Sequence, residues 1–178
     1  NPRLIINSSG AATFASTVTM DGLISSAASA GSNAFSAGVS AGTTNQGAEA
    51  VAIGNYAGNN AQGSEAVAIG DKAGQVNQGQ RTVAVGRDAG YSNQSDYGVA
   101  TGYFAGNISQ GIAAVAIGRQ AAQTSQGDNA VALGAKAGQT TQGDYSVAAG
   151  YLAGQTNQGA NGILINSSGA ALNDTSVG

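Results

Sequence analysis

Eight consecutive blocks, opening at Gln46, Gln62, Gln78, Gln94, Gln110, Gln126, Gln142 and Gln158, place the same residue types in the same columns every 16 residues. A unit that short cannot bury an apolar face by itself. Its copies must stack on one another, so the chain is expected to form a solenoid. The full copies span 46–157. Weaker copies flank them, with Phe35 and Ile163 in the Val51 column and Gly38 in the Gly54 column. The expected organisation is a lead or entry module over 1–29, a repeat array of nine rungs over 30–173 and a short tail over 174–178. Leu4-IINSSGAAT echoes Ile163-LINSSGAAL at a spacing of 159, and the two are expected to be matching entry and exit modules.

Within a block the apolar signal has period two. In Ala50-Val51-Ala52-Ile53 small and large side chains alternate, which is the pattern of a short strand and not of a helix. Gly54 and its copies end each strand where a turn needs positive φ, and the second glycine, as at Gly58, closes that turn. The polar half, such as 75–79, returns as a second strand, so each block is one turn of a flattened all-β coil. The large Val and Ile side chains are expected to fill the coil. The Ala face is then expected to meet an identical chain in the same register, giving a closed homo-oligomer. If residue i lies over i+16, Glu65 meets Arg81, Asp71 meets Arg87 and Lys72 meets Asp88, whereas Glu49 over Glu65 opposes the pattern.

Composition narrows the function classes. The 178 residues include 29 Gly, no Cys and no His, and only 8% are charged. Disulfides and thiolate metal sites are excluded, and the commonest general base is missing. A net charge of -3, with Arg3, Lys72, Arg81, Arg87, Arg119 and Lys136 scattered, does not fit a nucleic-acid partner. No apolar run reaches the length of a membrane span, and no signal peptide is visible. The chain opens on Asn1, as a processed product or a piece of a longer one would.

The repeated core (E/N/Y)-(A/S)-V-A-(I/L/V/A)-G-x-x-A-G resembles the head repeats of trimeric autotransporter adhesins of the YadA type, which carry S-V-A-I-G. It also resembles collar and shaft repeats of phage and giant-virus tail fibres. The resemblance covers 46–157 well and 30–173 loosely, and it implies a homotrimer of parallel left-handed β-rolls. The bacterial repeat is shorter, the extra residues here lying in the Gln-Gly return. That longer block and the terminal ILINSSGAALN look more like viral fibres.

The expected function is therefore a non-enzymatic shaft segment of a virion tail fibre that supports host attachment. The alternative is the host-binding head of an adhesin on a bacterial cell surface. A monomeric ice-binding solenoid would need a flat, regular Thr array, and the columns here are mixed. Expected partners are two further copies of the chain, other fibre or virion proteins, and a host-surface glycan or protein. No catalytic residue, cofactor or metal ligand is assigned. The Gln column is expected to be an amide ladder between rungs. Asp128 and Asp144 are one rung apart, the spacing of a retaining glycosidase pair, but Asp after Gly is the ordinary residue of a solvated turn. An oxygen cage of the EF-hand kind is not present. For receptor contact the candidates are Tyr91, Tyr97, Tyr103 and Phe104 with Arg87 and Arg119, the competing role being a surface ladder that stiffens the shaft. Tyr145 and Tyr151 form a smaller second cluster.

Overall fold

Each 16-residue block closes one turn of a parallel β-solenoid. The computed structural model describes residues 31–173, together with the backbone of two strands, Leu4–Ile6 and Ala12–Phe14. The rest of the lead module and the 174–178 tail lie outside the described residues. Two parallel sheets run the length of the stack. One has nine strands, from Phe35–Ala37 to Ile163–Asn166, and the other has eight, from Thr44–Gln46 to Thr156–Gln158. The register is 16 throughout, Val51 pairing with Val67, Val67 with Val83 and Val83 with Val99. The same offset holds in the second sheet, where Gln46, Gln62 and Gln78 are successive partners.

The alternation of the strands is as expected, but its phase is opposite. Ala50, Ala52, Ala66, Ala68 and their copies are fully buried inside the coil, whereas Val51 is half-buried and Ile53 is 37% exposed on the outside. The reason is cross-section. Two short strands facing each other leave room only for small side chains and one extended amide, so the Val and Ile side chains turn outward. The Ala columns, expected to be an outer face that meets another chain, are thus the interior of a single chain, and the Val and Ile columns form its outer face.

The rest of the interior is glutamine. Gln62 Nε2 donates to the carbonyl of Val51 on the facing strand at 2.9 Å and to that of Ala66 at 3.2 Å. Gln110 repeats this toward Val99 and Ala114, and its amide also donates to Gln126 Oε1 at 3.1 Å. The expected ladder is therefore present in part, and the chief role of the column is to tie the two sheets of each coil together. Where the Ala50 column carries a hydroxyl, the backbone satisfies it: Thr82 Oγ1 donates to Gly79 O at 3.0 Å and Ser146 Oγ to Gly143 O at 2.6 Å.

Two glycine columns are required by this packing. At Gly54, φ is +126° and a Cβ would lie 2.5 Å from Gly70 O of the next rung. At Gly58, φ is +50° and a Cβ would lie 2.4 Å from Gln62 Oε1. Ala122 is the exception in the second column, at φ +43°. The turns also hold residues other than glycine in the left-handed region, among them Glu65, Lys72, Tyr97 and Tyr145.

The two echoing segments differ in structure. Leu4–Ile6 pairs antiparallel with Ala12–Phe14, while Ile163–Asn166 is the last rung of the nine-stranded sheet, parallel to Val147–Gly150. At the exit Asn166 takes the place of the turn glycine. Its side chain donates to Tyr151 O at 2.7 Å and accepts from Ser168 N at 2.9 Å. The chain then returns so that Leu172 pairs with Ala153 and Asn173 Oδ1 accepts the Thr156 N–H at 2.9 Å, which covers the end of the eight-stranded sheet.

Candidate functional surface

The roll presents two faces and two edges. On the outside of the nine-stranded sheet, the Val51 and Ile53 columns make an apolar stripe along the whole stack. Ile53, Ile69, Ile117 and Leu133 are exposed along it. The outer face of the eight-stranded sheet is mostly polar, with Thr44, Asn60, Ser92, Thr124, Thr140 and Thr156 in one column, interrupted by Val76 and Ile108. An alternating sequence cannot reveal which set turns inward, and for that reason the apolar stripe was not legible as a surface.

The first edge holds the turn that enters the nine-stranded sheet, with the column Glu49, Glu65, Arg81, Tyr97, Ala113, Asn129, Tyr145. Arg81 organises its upper part. Its Nε and Nη2 donate to the two carboxylate oxygens of Glu65 at 3.1 and 3.0 Å, and Nη1 donates to the Tyr97 hydroxyl at 3.1 Å. The guanidinium lies 5.8 Å from the Tyr97 ring centroid. Hydrogen bonding to Arg81 holds the Glu65 carboxyl below its ordinary range, and the same bond, with that to Tyr97, raises Arg81.

The second edge follows the turn glycine, with the column Asn55, Asp71, Arg87, Tyr103, Arg119, Ala135, Tyr151. Arg87 Nε sits 3.6 Å from Asp71 and 3.2 Å from Asp88, and its guanidinium is 5.8 Å from the Tyr103 ring. Tyr103 and Phe104 meet edge to face, with centroids 4.5 Å apart. Arg119 instead donates to its neighbour Gln120 at 3.1 Å. Two of the three expected charge pairs between rungs are therefore formed, and Asp88 pairs with adjacent Arg87 in place of Lys72.

The expected receptor residues do not form one patch. Tyr91, Tyr103, Phe104, Arg87 and Arg119 share the second edge, but Tyr97 stands on the first, with the strand Val99–Thr101 between them. Tyr145 and Tyr151 are divided in the same way by Val147–Gly150. Asp128 and Asp144 have a structural task. Asp144 Oδ1 accepts the Asp128 N–H at 3.0 Å and Asp128 Oδ1 accepts the Ile112 N–H at 2.8 Å, so each carboxylate ties its turn to the rung before. Among the described residues, no group of three or more Asp or Glu is placed to hold a metal ion, and no helix is long and apolar enough to cross a membrane. No family model, no curated protein and no solved structure matches this chain.

Proposed function

We propose that this chain is a shaft segment of a fibre, non-enzymatic, and that it works as a homotrimer whose three apolar faces meet on a common axis. The observation that carries the reading is the continuous Val and Ile stripe on the outside of the nine-stranded sheet. A coil filled with alanine methyls and an amide has spent none of its Val and Ile side chains on its own interior. Exposed apolar stripes of this length mark a surface that another chain covers. A uniform stack offers the same columns on every copy, so the natural cover is the same face of two more copies around one axis. The uninterrupted hydrogen-bonded sheets then supply a stiff rod, suited to holding a binding element away from the body that bears it. On the resemblance of the repeat to tail-fibre shafts, that body is a virion and the other partners are fibre or virion proteins.

A second reading, an adhesive head, is favoured by one feature. Arg87, Tyr103 and Phe104 form an ordered aromatic and basic cluster on an exposed edge, the kind of group that contacts a glycan or protein. Sedimentation equilibrium tests the first reading. A mass about three times the 17.1 kDa of one chain is expected at micromolar concentration, and a single-chain mass would overturn it. Loss of cell adsorption by trimeric Tyr103→Ser/Phe104→Ser would transfer the chain to the second.

A further inference from the structure

Three columns change together in two rungs. Within 46–157, the first-edge column carries Tyr only at Tyr97 and Tyr145, and the column after the turn glycine carries Tyr only at Tyr103 and Tyr151. In those same rungs the outward Ile column drops to a small residue, Thr101 in one and Ala149 in the other, while its remaining members are Ile, Val or Leu. The two tyrosines of a rung lie on opposite edges, separated by a three-residue strand and its flanking turns, roughly 15–20 Å of chain. They do not face each other within one copy. Both first-edge tyrosines also occupy positive φ, +62° and +56°, where a bulky side chain is poorly suited, and both are more than half exposed.

A closed trimer relates these positions. If three slabs turn their apolar sheets toward an axis parallel to the stack, every corner brings the first edge of one copy against the second edge of the next at the same rung. Thr101 and Ala149 lie in the outer column nearest the second edge, so each leaves a notch facing the neighbour's first edge. We propose that Tyr97 and Tyr145 of one copy seat in the notches that Thr101 and Ala149 leave on the next copy, beside that copy's Tyr103 and Tyr151. The occupant of each notch is a second copy of this chain. The notches are three rungs apart, about 14 Å along the axis, and together they act as two pins that set the axial register. A slip of one rung drives the rings onto Ile117 and Ile165 or onto Val85 and Leu133, and empties both notches. This inference rests on the trimer reading above.

The absence of cysteine makes cross-linking a direct test. Tyr145→Cys/Ala149→Cys, treated with a short bismaleimide, should give covalent trimers on a denaturing gel, while Tyr145→Cys/Thr101→Cys, offset by three rungs, should give none. Cross-linking of the offset pair instead overturns the register. Failure of both pairs in a protein that still sediments as a trimer overturns the notches and leaves the trimer standing. A wild-type chain that sediments as a monomer removes both. Should the first variant fail to assemble when reduced, Tyr97→Cys/Thr101→Cys asks the same question at the other pin. In addition, Ala149→Leu should lower the melting temperature of the trimer and Tyr145→Ala should restore it. Additive losses in the double variant would count against the proposal.

Discussion

The side-chain amide of Gln62 reaches across the coil to the carbonyl oxygen of Val51 at 2.9 Å, joining the two sheets from inside. Each copy of the column repeats the bond, from Gln46 with Phe35 to Gln158 with Val147. The strands are only three or four residues long, and these ties compensate for an interior with little apolar area to bury.

Gln110→Met should therefore destabilise more than its conservative volume suggests. The thioether fills the space, but the buried carbonyls of Val99 and Ala114 lose their side-chain donor. A loss of about 1–3 kcal/mol is expected in urea unfolding. An unchanged midpoint would mean that the amide only fills volume.

Gly74→Ala should be costly for two reasons: a φ of +51°, and a Cβ 2.4 Å from Gln78 Oε1. The left-handed conformation alone accounts for about 1–2 kcal/mol. Ala122 already occupies this column, so Ala122→Gly should be neutral or mildly stabilising. Equal and opposite effects of the two variants would show that backbone conformation alone matters; a larger loss at Gly74 would locate the remainder in the displaced amide.

Ala116→Glu and the adjacent Ile117→Glu should fail in different ways. Ala116 is fully buried inside the coil, and a carboxylate there should unfold the chain, with a loss of at least about 4 kcal/mol. Ile117 points outward, and its replacement should leave the β-sheet circular dichroism intact while reducing the sedimenting mass to one chain. Dissociation to a folded monomer by Ala116→Glu would reverse the assignment of inside and outside.

Acid should weaken one surface tie selectively. Because the hydrogen bond from Arg81 holds the folded-state Glu65 carboxyl below its ordinary range, its contribution is present above that range and is lost as pH falls through the lowered one. The melting difference between wild type and Glu65→Gln should thus exist at neutral pH and shrink away as acid protonates the carboxylate. It should be small, because both partners are solvated. A difference independent of pH would assign the effect to packing of Arg81 and Tyr97.

Much of the architecture was legible because a repeat reports its own neighbours. The Gln46, Gln62, Gln78 series sets the 16-residue register, the Glu65–Arg81 and Asp71–Arg87 pairs test it independently, and the glycine columns locate the turns. The candidate site was legible only in composition. Tyr97, Tyr103 and Phe104 are close in sequence, but the strand between them carries Tyr97 to the opposite edge of the roll.

The sequence by itself determined the period, the two-residue alternation and the positions where only glycine fits, because each depends on spacing along one chain. Tertiary structure alone decided the phase of that alternation. Ala-Val-Ala-Ile is compatible with either face turned inward, and the choice falls to the width of a coil closed by two three-residue strands. That width admits the methyl of Ala52 and the amide of Gln62 and turns Val51 and Ile53 outward, to where a second chain can meet them.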